Sequence, residues 1–195
     1  MKYELNRFGM IIDKVCSRVN LNKSMKKCFL QLTITLLALC GALTMSAQES
    51  LPRSAGYRGS VTLTDQYFAI VGFETSHGYM FNEHHYLGAG VGGFFIPTDN
   101  YPRFGQVFVD YRAYLSDRPS AMVAGVKAGF CHAFKTDSGN HNGYSFMNAA
   151  TVEPSLGWIW GGRKGNGFGI SLGAQLFIHK DDVAALPKIN FFYEF

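Results

Sequence analysis

Beyond Ala47 the sequence holds a single cysteine, Cys131; Cys16, Cys28 and Cys40 all lie before it. One cysteine excludes an intramolecular disulfide in that part of the chain, so its stability must come from burial and hydrogen bonding. Also missing is any segment of helical length with apolar residues at 3.6-residue spacing; period two dominates from Gln48 onward. An excess of positive charge is missing there too. Of 18 Lys and Arg, seven precede Gln48 against two acids, leaving 11 basic and 12 acidic residues after it. The formal +4 belongs to the leader, and nucleic-acid binding loses its main support.

The leader follows the order of an export signal. In "MKKCFLQLTITLLALCGALTMSAQ", Lys26 and Lys27 precede an apolar run to Leu43, then Ser46 and Ala47. The run is short and broken by Gln31, Thr33 and Thr35, which argues against a spanning helix. Cleavage is expected after Ala47, with residues 25–47 the signal, 1–24 an upstream extension and 48–55 a short periplasmic tail. A lipoprotein alternative places an acylated cysteine at Cys40, but Leu39 before it is bulky for that motif.

Eight alternating segments follow, at 56–64, 67–79, 85–95, 104–116, 121–134, 148–162, 167–179 and 188–195. They exceed the usual five or six residues and match the about 9 to 11 that a membrane-crossing strand needs. Tight turns ("MFNEH", "DRPS", "RKGN") alternate with longer polar loops ("IPTDNYPR", "KTDSGNHNGYS", "KDDVAALP"), apart from a short first loop near Asp65 and Gln66. That asymmetry fits periplasmic turns and outer loops. One face of each segment is oily. In the seventh, Phe168, Ile170, Leu172, Ala174, Leu176 and Ile178 oppose Gly169, Ser171, Gly173 and Gln175. Trp158 and Trp160 lie on the oily face beside a tight turn, as an interfacial aromatic belt does. Pro154, in mid-strand, implies a local bulge. The architecture expected is all-β: residues 56–195 as an eight-stranded, up-and-down, antiparallel transmembrane β-barrel.

The few mid-strand charges test the register. A tight "DRPS" turn sets Asp110 opposite Lys127, and closing the next loop from Lys135 to Ser145 sets Lys127 opposite Glu153. Arg112, Glu74 and Arg58 join them on the inward face by parity. This cluster reads either as an ionic filling of a narrow barrel, whose charges must be paired, or as an ion path or shifted catalytic carboxylate. An eight-stranded barrel has an interior just wide enough for its own side chains, so no open pore is expected.

Catalytic and metal chemistry finds little support, and no cofactor is expected. Glu83, His84 and His85 are adjacent on a turn and do not converge; His132, His141 and His179 gather loosely near one end. Ser76 and His77, or Ser138 and His141, suggest a lipid A-modifying enzyme, yet neighbouring strand residues face opposite ways. "GAGVGG" at 88–93 lacks the lysine and helix start of a phosphate loop. A soluble lipocalin-like barrel remains an alternative; its oily face would point inward.

The openings "AGYRGSVTL", "ETSHGYMFNEHHYLGAGVG" and "VFVDYRAYL" resemble the small outer-membrane barrels of the OmpA/OmpX-like "porin family", and "SAQ" at the cut resembles signals of Bacteroidetes-type bacteria. The resemblance covers about residues 55 to 195. It implies a monomeric barrel in the Gram-negative outer membrane, in contact with outer-membrane lipid and inserted by the barrel-assembly machinery. Outer loops would be free to meet an extracellular ligand. It also implies that the closing "KINFFYEF", with Phe191, Tyr193 and Phe195 on one face, carries the C-terminal assembly signal.

Overall fold

Strands with one oily and one small or polar face must hide backbone groups at both edges, and closing the sheet on itself does so. The computed structural model describes residues 53–66, 70–95, 103–134, 148–161, 166–179 and 182–195. Its strands are β1 (Gly56–Gln66), β2 (Ile70–Met80), β3 (His85–Phe95), β4 (Phe104–Tyr114), β5 (Ala121–Ala133), β6 (Ala149–Gly161), β7 (Gly167–His179) and β8 (Asp182–Glu194). Each pairs antiparallel with the next, and β8 returns to β1 from Ser60↔Glu194 to Gln66↔Lys188, closing the barrel.

Period two then decides which residues meet which solvent. Phe73, Val107, Val109, Leu172 and Val183 stand on the outer wall, each more than half exposed. Their neighbours in sequence point inward: Glu74, Asp110, Gln106, Ser171 and Ala184 are buried. A barrel with greasy walls and a polar lumen inverts the water-soluble arrangement. It is the reverse of the lipocalin-like alternative.

Small residues let this lumen close around large ones. A Cβ on Gly72 would lie 2.2 Å from the Phe94 ring, and one on Gly169 2.2 Å from Phe192. Gly169→Val is therefore expected to destabilise the folded barrel by about 1–3 kcal/mol through overpacking, read as a lowered urea midpoint in detergent.

Four expectations need correction. β1 runs on through Asp65 and Gln66, and Gln66 pairs with Ile70, so the first connection lies at 67–69. β8 begins at Asp182, opposite His179, rather than at Lys188. The segment read as a long last loop is mostly strand, and the difference in loop length rests on the connections after β3 and β5. Finally, Pro154 makes no bulge. Val152↔Leu176 and Ser155↔Gly173 keep one register across it, and the β6–β7 ladder simply skips Glu153 and Pro154.

Pro187 falls inside β8 without harm for a different reason. Gly59 and Phe195 exchange both backbone hydrogen bonds at 3.0 Å, so odd-numbered residues of β8 turn their backbone groups toward β1. Pro187 is the first odd residue past the last β1–β8 pair, where a missing N–H breaks none of those pairs.

Candidate functional site

Lumen-facing residues of β2, β5, β6 and β8 bring four charges to one level. Lys188 Nζ donates to Glu74 Oε1 at 2.5 Å and to Glu153 Oε2 at 2.7 Å. Lys127 Nζ bonds the other oxygen of Glu74 and lies 3.7 Å from Glu153 Oε1. Two ammoniums thus alternate with two carboxylates, and Asn190 Nδ2 adds a donor to Glu153 Oε1 at 3.0 Å. Aromatic rings flank the cations, with Lys127 5.1 Å from the Phe108 centroid and Lys188 5.2 Å from that of Phe94. Burial of these ions is tolerable only because every one is paired.

A second group lies nearer the end where the chain enters β1 and leaves β8. Arg112 holds Asp110 Oδ2 at 2.5 Å, Glu194 Oε1 at 2.7 Å and Ser60 Oγ at 2.7 Å. Tyr114 Oη donates to the same Glu194 oxygen at 2.6 Å. Toward the opposite end the buried polar side chains among the described residues are uncharged: Gln66 bonds Gln175, which donates to Gln106 at 3.0 Å, which donates to Thr151 at 3.1 Å. Between the charged groups a cavity of about 30 Å³ is lined by Thr62, Asp110, Arg112, Lys127, Ser171 and Asn190, among others. It is roomy enough for water, and the buried Asn190 Oδ1 on its wall has no protein partner.

The register sets Asp110 opposite Lys127 and Lys127 opposite Glu153, the pairs that the turn lengths give. The closest contacts are different ones. Asp110 serves Arg112, whereas Lys127 and Glu153 are tied through Glu74 and Lys188. Arg58 sits half-buried near the start of β1, opposite Gly78. The charges grouped from the sequence left out Lys188, Glu194 and Arg53, although the alternation of the last strand turns Glu194 inward. Parity along β8 already turns Lys188 inward with Asn190; only the late start assigned to that strand hid it.

Outside the lumen, Trp158 and Trp160 stand on the wall as expected, Trp160 stacked on Phe168 with centroids 6.3 Å apart. Phe191, Tyr193 and Phe195 share the outer face of β8. Phe195 packs edge-on to His77 at 6.2 Å and parallel to Tyr193 at 6.4 Å.

His77 itself is held between Tyr57 Oη at 2.6 Å and Thr75 Oγ1 at 3.0 Å, while Thr75 donates its proton to Ser60 O at 3.1 Å. Thr75 must then accept from Nε2–H, leaving Nδ1 to accept from Tyr57. Ser76 points the other way, to Tyr86 Oη at 2.9 Å. Ser138, His141 and the Ala47 cut lie outside the described residues. Among the described residues no group of three or more His, Cys, Asp or Glu is placed to hold a metal ion.

No protein-family model matches the chain, and no curated protein matches it in sequence. Solved structures do match its fold. The N-terminal β-barrel domain of Pseudomonas aeruginosa OprF is similar with a TM-score of 0.51 at 14% identity, over 74% of this chain and 100% of that one. The outer membrane protein Ail of Yersinia pestis gives a TM-score of 0.42 at 13% identity, over 73% of this chain and 100% of that one. A de novo designed transmembrane β-barrel gives 0.44 at 14% identity, over 75% and 98%. The likeness to OprF is one of fold: this chain has the architecture of the small eight-stranded outer-membrane barrels.

Proposed function

We propose that the protein is a non-enzymatic, integral outer-membrane barrel whose role is structural or one of surface contact, with no open pore. The observation that carries this reading is the apolar outer wall around a paired, charged lumen. Lipid accepts the first and cannot reach the second. Outer-membrane lipid and the barrel-assembly machinery are its partners, and any ligand from outside meets the loops after β3 and β5. The chain acts as a monomer. Ser76 turns into the lumen toward Tyr86 while His77 faces outward, so the two form no serine–base pair, which favours this reading over a lipid A-modifying enzyme.

Fractionation decides it. The protein is expected in outer membranes, resistant to carbonate and urea, and migrating faster on detergent gels unheated than boiled. Release by carbonate or urea overturns the reading. Val109→Arg, mid-strand on the wall, is expected to cost about 2–4 kcal/mol of stability in lipid vesicles.

A further inference from the structure

Arg53 lies before the first strand, where an exposed, frayed segment is the usual expectation, yet it is only 4% exposed. Its guanidinium donates from Nη1 to the carbonyls of Ser116 at 3.2 Å and Arg118 at 3.1 Å, and from Nη2 to Pro119 O at 2.7 Å. It also lies 4.2 Å from the centroid of the Tyr114 ring. These acceptors belong to the β4–β5 turn. In a ring of eight strands, that turn stands across the mouth from β1. Gly56, where this segment bends into β1, has φ +145°, a conformation that residues with a Cβ rarely adopt.

The charges give the arrangement a reason. Among the described residues the buried cations within the strands are Arg112, Lys127 and Lys188, against four buried acids, Glu74, Asp110, Glu153 and Glu194. Glu194 is the acid at the mouth, reached through Tyr114. Arg53, packed on that tyrosine, brings the buried charges into balance. Burial pulls its pKa below the ordinary guanidinium value, opposed by Tyr114 and Glu194.

We propose that the segment entering β1 is a strap that closes this mouth of the barrel, hinged at Gly56 and latched by Arg53 on the β4–β5 turn. It holds Glu194 and the ions above it out of water. The strap is a device of the fold and does not depend on which membrane holds the barrel.

Trypsin reads the latch directly, because Arg53–Ser54 is a tryptic bond. With the full chain folded in detergent, cleavage there is expected to be at least about a hundredfold slower than in the boiled chain, since it waits on local opening. Gly56→Ala strains the hinge, and Glu194→Gln removes the acid at the mouth and leaves the buried cations, Arg53 among them, in excess. Either is expected to speed that cut by about tenfold while the fold, read by gel mobility in the same samples, persists. Two variants are used so that one failing to fold leaves the other decisive. Cleavage of the folded wild type at the boiled rate overturns the strap, as does unchanged protection in the variants that fold.

Discussion

Lys188→Met is expected to destabilise the barrel by about 3–5 kcal/mol, or to prevent its folding, because it leaves buried charge uncompensated. Lys188 is fully buried and joins Glu74 to Glu153. Without it, two lumenal carboxylates share Lys127, which already favours Glu74 and stands 3.7 Å from Glu153. Methionine fills much the same volume, so the loss reads charge rather than packing. The control is Lys188→Met with Glu153→Gln, which reduces the quartet to a single Lys127–Glu74 pair. It should recover most of the loss, since replacing both partners of a buried pair is often close to neutral. Urea titration in lipid vesicles, scored by gel mobility, measures both. A loss under about 1 kcal/mol for the single variant would mean water reaches the quartet and screens it, as at an exposed ion pair.

The same residue shows how far the sequence could be read. Asp110 and Lys127 were legible because "DRPS" is a short turn: it fixes one register, and a one-residue slip would turn every oily side chain of β5 inward; Glu153 followed from closing the next loop between Lys135 and Ser145. Lys188 opened the segment read at 188–195 and so did not count as a mid-strand charge; it follows "KDDVAALP", whose two aspartates and proline read as loop and whose alanines give both faces the same character. Nothing local marks residues 182–187 as strand; the pairing with β7 does, and pairing is tertiary. Pro154 was misread for a related reason. A missing donor can be met by inserting a residue or by leaving rungs out of the ladder, and only the register on both sides tells which. Arg53 had no signal at all. Its acceptors are main-chain carbonyls of a turn more than sixty residues away, and a carbonyl carries no residue identity.

Phe195 is where two demands on one residue can be separated. Its backbone exchanges two hydrogen bonds with Gly59 at 3.0 Å, and its ring lies against Gly59 and His77 across the closing seam. Deleting it removes both bonds at the end of β8 next to lipid; at about 1 kcal/mol each the loss is about 2 kcal/mol, together with the ring's packing. Phe195→Ala keeps the backbone bonds and removes only a ring that is 40% exposed on the wall. If the terminal aromatic serves the seam alone, the alanine variant should refold into vesicles nearly as well as wild type and reach the outer membrane of cells in nearly normal amount. If the assembly machinery reads the ring, in-vitro folding stays near normal while the amount assembled in cells falls severely. We expect the second outcome, because the outward series Phe191, Tyr193 and Phe195 supplies more aromatic surface than a seam held by paired backbone needs. Normal assembly in cells without Phe195, by deletion or by alanine, would remove the recognition role and leave the seam as its whole purpose.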